Sequence, residues 1–259
     1  GNRPGVMERL GLGPADCAAL NPRLVYGRMT GWGQDGPLAH AAGHDLNYLA
    51  LSGVLSLAAR PGAAPIAPPT VIGDAGGALG LAFGLVAAIF AAGRTGRGVV
   101  VDCAMVDIVA SLSGIALAAR RSGVLDRERP SIFHDSPFYD AYLCADGRYV
   151  TVGALEPPFY SLLLDKLGLA DVDPRAQYDM RAWPKLKERF RALFLTRPSG
   201  EWRALLEGTD ACFAPVLTLA EAAEHPHNAA RGVFAADPEG GLDPAPAPRF
   251  SALGGAKGS

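Results

Sequence analysis

His44 and Asp74 are the two residues of this 259-residue chain whose types and surroundings favour acid–base chemistry. His44 stands beside Asp45 in "GHDLNYLALSG" (43–53), and Asp74 stands in "VIGDAGG" within a long uncharged stretch. These apolar surroundings predict that His44 and Asp74 are buried. An imidazole and a carboxylate can exchange protons with a bound carbon acid when their surroundings draw their pKa values together. One alternative is that His44 and Asp74 form a structural polar pair. Another is that Asp74 caps the helix that follows it.

Glu156 is a third acid with two possible roles. It stands in "VGALEPPFY", directly before Pro157 and Pro158. An acid at this place can cap the helix that follows. A carboxylate near His44 would instead orient the imidazole ring and select its tautomer.

Other motifs do not define a site. "GWGQDG" (31–36) has the spacing G-x-G-x-x-G, but Pro37 follows and no apolar helix opens there, so we interpret it as a glycine-rich turn. "HPH" (225–227) does not complete a set of metal ligands, and we expect no metal site. The four cysteines form no C-x-x-C pair, which is typical of free thiols in a reducing compartment and predicts a cytoplasmic protein: Cys17, Cys103, Cys144 and Cys212.

The composition is that of a globular chain with a sizeable core. Hydrophobic residues make up 49% of the chain and charged residues 19%, and the net charge of −2 argues against a nucleic-acid partner. Residues 75–93 carry no charge and approach the length of a membrane span, but five glycines favour a buried helix that neighbouring backbones approach closely. We therefore predict no membrane partner. The first residues, "GNRPGVMERLGLG", lack the apolar segment of a signal peptide.

The pattern of elements predicts an α/β protein with two domains. Strands are expected at "RLVYGRMTGWG" and "GVVVDCAMVD", and helices at "DLNYLALSGVLSLA", about 75–92 and 104–122. "YDAYLCADGRYVTVGAL" predicts a β-hairpin, and amphipathic helices follow it, the last broken at Pro226. We predict a large α/β domain over 1–125, a linker over 126–135, a small α+β domain over 136–235 and a loosely ordered tail over 236–259.

Several of these segments, in this order, carry a resemblance to a known family. "RPGVMERLGLG", "GHDLNYLALSGVL", "GDAGG", "TGRGVVVDCAMVD" and "CADGRYVTVGALEPPFY" resemble the α-methylacyl-CoA racemases of the family III CoA-transferase (CaiB/BaiF) superfamily. The resemblance reaches to about residue 250. It implies racemisation of 2-methylacyl-CoA thioesters in fatty-acid metabolism, by a two-base 1,1-proton transfer through an enolate, with no metal and no redox cofactor.

The resemblance also implies roles for particular residues. His44 and Asp74 match the two bases, and Glu156 matches the partner of the histidine. Matches to the positions that bind CoA and substrate are Arg3, Arg9, Gly43, Asp45, Leu46, Asn47, Tyr48 and Tyr139. Thr70 stands where the family carries an asparagine, and the loop in "HDSPFY" is two residues shorter than in the family.

The resemblance further implies a three-layer, CoA-binding large domain, of which this chain is expected to lack the N-terminal part. Family members form interlocked dimers, so a homodimer is expected in which Glu156 of one chain serves the other chain's site. One alternative is a CoA-transferase that uses Asp74 as a nucleophile. The other is a truncated, non-catalytic relic that acts as a partner subunit.

Overall fold

The computed structural model describes residues 2–60, 62–125 and 130–250. Its fold is α/β, and contacts between Cα atoms divide the chain into two compact units, 1–129 and 130–259. Of the predicted linker, 126–129 lies outside the described residues, while 130–135 belongs to the second unit, where Ser131 is buried. Of the predicted tail, 251–259 also lies outside them.

The first unit is built around two parallel strands. Its elements are α1 (Val6–Arg9), α2 (Pro14–Leu20), β1 (Tyr26–Thr30), α3 (Asp45–Leu51), a 3₁₀ turn (Val54–Ala58), a π-helical turn (Val71–Ala75), α4 (Gly76–Thr95), β2 (Val100–Ala104), α5 (Met105–Leu112) and α6 (Gly114–Arg121). The pairing of β1 with β2 runs from Tyr26 opposite Val100 to Thr30 opposite Ala104. Both strands and the long helix between them were predicted and are confirmed.

Two predicted helices are shorter than expected because the backbone turns within them. The helix expected over 45–58 ends at Leu51, since Gly53 adopts a φ of 83° and only a 3₁₀ turn follows. The helix expected over 104–122 is divided at Ser113 into α5 and α6. "GWGQDG" is a turn, as interpreted, with Gly33 and Gly36 at positive φ.

Helix α4 packs through its glycines and exposes its large residues. A Cβ on Gly77 or Gly80 would meet the side chains of Met105 or Ile108 within about 3 Å, so side chains rather than backbones approach this face. Much of the opposite face is exposed, including Phe83 at 79%. The prediction of a buried helix is therefore wrong for this chain. Only the face of small residues packs against β1, β2 and α5, and the face of large residues stays exposed.

The segment Val71–Thr95 has the length and composition that a membrane crossing requires. It is the one such segment in the part of the chain that the structure describes, and 17% of its most apolar stretch is buried. Core helices of soluble proteins can pass the same test of length and composition. Its glycine face packs against β1, β2 and α5 within its own unit.

The second unit combines a three-stranded antiparallel sheet with helices. Its elements are β3 (Tyr139–Leu143), β4 (Tyr149–Gly153), α7 (Pro157–Lys166), a 3₁₀ turn (Pro174–Ala176), α8 (Trp183–Phe194), α9 (Ser199–Leu206), β5 (Phe213–Pro215), α10 (Leu219–Glu224), α11 (Pro226–Arg231), β6 (Phe234–Ala236) and β7 (Leu242–Pro244). The predicted hairpin is β3–β4, with β5 beside β4. The β6–β7 pair extends ordered structure into the predicted tail.

Candidate active site

A cleft of about 510 Å³ opens in the first unit at the carboxyl ends of the two parallel strands. Met29, Thr30 and the following Gly31 and Trp32 come from the end of β1, and Met105 directly follows β2. Ligands of open α/β sheets characteristically bind at this edge. The remaining lining residues are Asn2, Arg3, Pro4, Ala39, Ala41, Ala42, Gly43, His44, Tyr48 and Asp74.

His44 and Asp74, which are 30 positions apart in the sequence, both line this cleft. Contrary to the expectation of burial, His44 is exposed in this unit and Asp74 is half-buried. His44 occupies the N-cap position of α3, and its backbone N–H donates to Oδ1 of Asn47 at 3.0 Å. The imidazole is thus carried at the start of a helix whose first turn Asn47 holds in place.

Asp74 lies in the π-helical turn Val71–Ala75 and not at the N-cap of α4, which is Ala75. The interpretation of Asp74 as a helix cap is therefore wrong. The turn starts after Thr70, which has a φ of 56°. Asparagine tolerates this left-handed conformation better than a β-branched residue does, so the threonine here adds strain just before Asp74.

Asp45 is the buried carboxylate of the site, with 6% of its surface exposed. Its Oδ1 accepts hydrogen bonds from the backbone N–H groups of Gly73, at 2.7 Å, and of Asp74, at 2.9 Å. Gly73 has no room for a side chain, because a Cβ there would lie 2.5 Å from this same oxygen. The family resemblance implies a substrate contact for Asp45, whereas its side chain accepts hydrogen bonds from the backbone that carries Asp74.

Tyr48 connects several parts of the cleft. Its hydroxyl donates a hydrogen bond to the carbonyl of Gly43, and its ring packs edge-on against Trp32 with centroids 4.7 Å apart. Burial, followed by the negative charges of Asp74 and Asp45, raises the pKa of the Tyr48 phenol. The phenol therefore stays protonated near neutral pH and remains a donor to the loop before His44.

Not all the predicted substrate-binding residues reach this cleft. Arg3, Gly43 and Tyr48 line it. Arg9 is exposed at the end of α1, and Leu46 is exposed on α3 with 56% of its surface accessible. Asn47 and the buried Asp45 are also absent from the cleft lining, so four predicted binding residues of the first unit lie outside it.

Glu156 and Tyr139 belong to the second unit. Glu156 is exposed at the N-cap position of α7, and its side chain makes no capping hydrogen bond there. Its charge contributes to raising the pKa of Cys212, for which burial is the larger cause. Tyr139 and Cys212 line a cleft of about 450 Å³ on the β3–β4–β5 sheet, and Phe133 packs edge-on against the tyrosine ring.

Met29, Trp32 and Met105 line the cleft but were not singled out in the sequence. One signal for them was present: each lies at or just after the carboxyl end of a predicted strand. Finding them from the sequence requires knowing that the two strands are parallel neighbours, since this brings their carboxyl ends to one edge. Within the described ranges, no cluster of three or more His, Cys, Asp or Glu side chains is arranged to hold a metal ion.

Comparison with known proteins agrees with this architecture. The model of CoA-transferase family III matches residues 1–257, and the chain belongs to this family. The chain is 44% identical to human α-methylacyl-CoA racemase over 95% of its own length and 65% of the human protein. The mouse α-methylacyl-CoA racemase is 43% identical, over 96% of this chain and 66% of the mouse protein. The chain thus spans slightly less than two thirds of these relatives.

A solved structure with the same fold comes from Mycobacterium tuberculosis. The crystal structure of Rv3272 superposes with a TM-score of 0.76 and 25% sequence identity, over 97% of this chain and 68% of that one. The likeness covers both units.

Proposed function

We propose that this chain racemises 2-methylacyl-CoA thioesters by a two-base 1,1-proton transfer. The observation that carries the proposal is the presence of His44 and Asp74 in one cleft at the carboxyl edge of the parallel strands. Similarity to the human racemase at 44% identity supports the choice of reaction and substrate. The assignment to fatty-acid metabolism in the cytoplasm is part of the same proposal.

In the proposed reaction, one of these two residues removes the proton from the carbon next to the thioester. The electron pair of the broken C–H bond moves into the carbonyl, which becomes an enolate oxygen. The other residue then delivers a proton to the opposite face of the same carbon, and the configuration is inverted. No electron is gained or lost, so the reaction needs no redox cofactor and, as proposed here, no metal.

The enolate oxygen requires hydrogen-bond donors that are already oriented when its charge develops. The N–H groups of Gly73 and Asp74 already donate to Asp45. The N–H groups at the start of α4 also have acceptors, since Ala75 donates to the carbonyl of Thr70 and Gly76 to that of Gly73. Our proposal therefore gives the enolate oxygen to the backbone N–H of Asp45, the first residue of α3. Helix starts carry free N–H groups and a partial positive charge.

The remaining predicted residues have roles in binding. Arg3 in the cleft wall and Arg9 on α1 would contact the phosphates and adenine region of CoA, since guanidinium groups pair well with phosphate oxygens. The segment from Gly43 to Tyr48 would lie along the pantetheine and the thioester. Tyr139 would lie near the catalytic acids. In a homodimer, Glu156 of one chain would orient His44 of the other.

A second candidate function is CoA transfer, the reaction after which the family is named. In that reaction Asp74 attacks the thioester carbonyl, CoA leaves, and a mixed anhydride forms on the carboxylate. Asp74 lines the cleft and is half-buried, as a nucleophile would be. His44 favours proton transfer, because acyl transfer does not require a second base beside the aspartate. A non-catalytic partner subunit remains the third possibility.

The deciding experiment incubates the full chain with each enantiomer of a 2-methylacyl-CoA in heavy water. We expect loss of the α-proton signal by NMR together with loss of chirality, and no transfer of CoA to an added carboxylic acid. His44→Ala should slow exchange from one enantiomer more than from the other, and Asp74→Asn should show the reverse preference. His227→Ala, which changes an exposed histidine in α11, is the matched control and should exchange like the wild type.

Three outcomes would contradict racemisation. Transfer of CoA to the acid, with hydroxylamine trapping an acyl group on Asp74, would support the transferase. A folded, dimeric chain without either activity would support the partner subunit. Equal slowing of both enantiomers by His44→Ala and by Asp74→Asn would refute the assignment of one base to each face.

A further inference from the structure

Asp45 connects α3, which begins after His44, to the π-helical turn that carries Asp74. We infer that Asp45 is a positioning residue for Asp74: its carboxylate sets the backbone from which the Asp74 side chain reaches the substrate. The inference rests on the proposed racemisation and adds to it a requirement for a hydrogen-bond acceptor at position 45.

The geometry directs one oxygen at two successive peptide groups. Oδ1 of Asp45 lies 2.7 Å from the nitrogen of Gly73 and 2.9 Å from that of Asp74. Fixing two consecutive N–H directions fixes the orientation of the Asp74 Cα–Cβ bond, and only staggered side-chain rotamers remain for the carboxylate. A reacting base needs this restriction, since a displacement of about 1 Å can reduce a rate about 100-fold.

The local backbone explains why an external acceptor is needed. Gly73 and Asp74 lie in the first turn of a helical segment, where N–H groups have no acceptor in the preceding chain. The bond from Ala75 N–H to the carbonyl of Thr70 begins the π-helical pattern only after them. Asp45 supplies the acceptor from a helix 28 residues earlier, and its burial shields these bonds from competing water.

The arrangement couples the two proposed bases through one residue. His44 directly precedes Asp45 at the start of α3. The backbone of this first turn therefore positions the imidazole of His44, and the side chain of Asp45 positions the backbone of Asp74. Gly73 completes this coupling, because any side chain there would occupy the place of the carboxylate oxygen. The hydrogen bonds need an acceptor oxygen at this point, and an uncharged amide oxygen can also provide it.

The test compares Asp45→Ala, Asp45→Asn and the wild type in α-proton exchange from both enantiomers. Asp74→Asn first shows which enantiomer depends on Asp74. For that enantiomer we expect Asp45→Ala to lower kcat about tenfold or more, with KM changed less than about threefold, because orientation and not binding is lost. The other enantiomer should change less than about threefold, and Asp45→Asn should retain both rates within about threefold, because its amide oxygen replaces the acceptor.

Asp107→Asn is the matched control, since Asp107 is an exposed acid in the first turn of α5 in the same unit. Amide hydrogen exchange of the peptide over 71–75 provides a readout besides activity. It should accelerate in Asp45→Ala and stay slow in Asp45→Asn. Gly73→Ala is a second route to the same effect and should show the same preference between enantiomers.

Four results would overturn the inference. Asp45→Ala could slow both enantiomers equally, or a folded Asp45→Asn could lose the Asp74-dependent exchange like the alanine variant. Unchanged hydrogen exchange over 71–75 in Asp45→Ala would also refute it. If Asp45→Ala does not fold, Gly73→Ala decides, and an equal loss for both enantiomers would count against the inference. A wild-type chain that exchanges no α-proton would instead refute the proposed function itself.

Discussion

The buried ion pair between Lys187 and Asp140 makes a quantitative prediction about the second unit. Nζ of Lys187 on α8 lies 2.8 Å from Oδ2 of Asp140 on β3, and the two side chains are only 7% and 5% exposed. The same ammonium group donates to the carbonyl of His134 at 2.7 Å. Lys187→Met preserves much of the aliphatic stem but removes the ammonium group that pairs with the buried carboxylate of Asp140.

The expected cost follows from this burial. Removing one partner of a buried ion pair lowers the free energy of unfolding by about 3 to 5 kcal/mol, because the remaining carboxylate stays buried and loses the opposite charge beside it. Adding Asp140→Asn to Lys187→Met removes the remaining negative charge and should recover at least about half of this loss. Because Asp140 follows Tyr139 in β3, the ion pair also connects the β3–β4 hairpin to α8.

Urea unfolding followed by tryptophan fluorescence measures the effect. Trp183 and Trp202 are each 1% exposed in the core of the second unit and report on its unfolding. Arg175→Met is the matched control, because its ion pair with Asp173 is 90% and 49% exposed and should contribute less than about 1 kcal/mol. A loss below about 1 kcal/mol in Lys187→Met, or a double variant as unstable as the single one, would refute the reasoning.

Three further predictions concern other parts of the chain. Hydrogen bonds from Thr218 and the nearby Arg148 lower the pKa of Glu221 from 4.5 to about 2, so the stability it contributes is present above pH 4.5 and is lost as pH falls through about 2. Glu221→Gln should therefore flatten the pH dependence of the urea midpoint in this window, and an unchanged slope would contradict it. Burial raises the pKa of Cys144 to about 11. Mass spectrometry after thiol alkylation of the native protein at pH 8 should therefore find Cys144 unmodified. Modification at the rate of a denatured sample would contradict its burial. Gly80→Val should destabilise the first unit by about 1 to 3 kcal/mol, because its side chain would overpack against Ile108. Phe83→Ser on the exposed face of α4 should change the free energy of unfolding by less than about 0.5 kcal/mol. Equal losses of the two variants in urea unfolding would contradict this assignment of the α4 faces.

Local patterns predicted most of the elements because their causes lie within a few residues. The alternation around "ADG" predicts the β3–β4 hairpin, and the uncharged run over 75–92 predicts α4, which the structure extends to Thr95. The break at Pro226 also follows from the missing N–H of proline. Errors arose where the backbone changes conformation without a strong signal, as at Ser113, or where a glycine within an apolar run ends a helix, as at Gly53.

The burial of α4 could not be predicted from its own residues. Its composition predicts an apolar helix. Because both glycine and phenylalanine occur in protein cores, the composition does not show which face of the helix is buried. Only packing against Met105, Ile108 and the strands selects the glycine face as the inner one. The large residues, such as Phe83, consequently lie on the outer face of this chain.

The amino-acid sequence by itself determined the local elements and the candidates for proton transfer, His44 and Asp74, because residue type and short-range pattern carry that information. The tertiary structure decided that these two line one cleft, and that the buried carboxylate is Asp45 and not either of them. The physical reason is distance along the chain. The hydrogen bonds from Gly73 and Asp74 to Asp45 form only because the fold brings α3 beside the turn before α4, and no periodicity in either segment encodes that meeting.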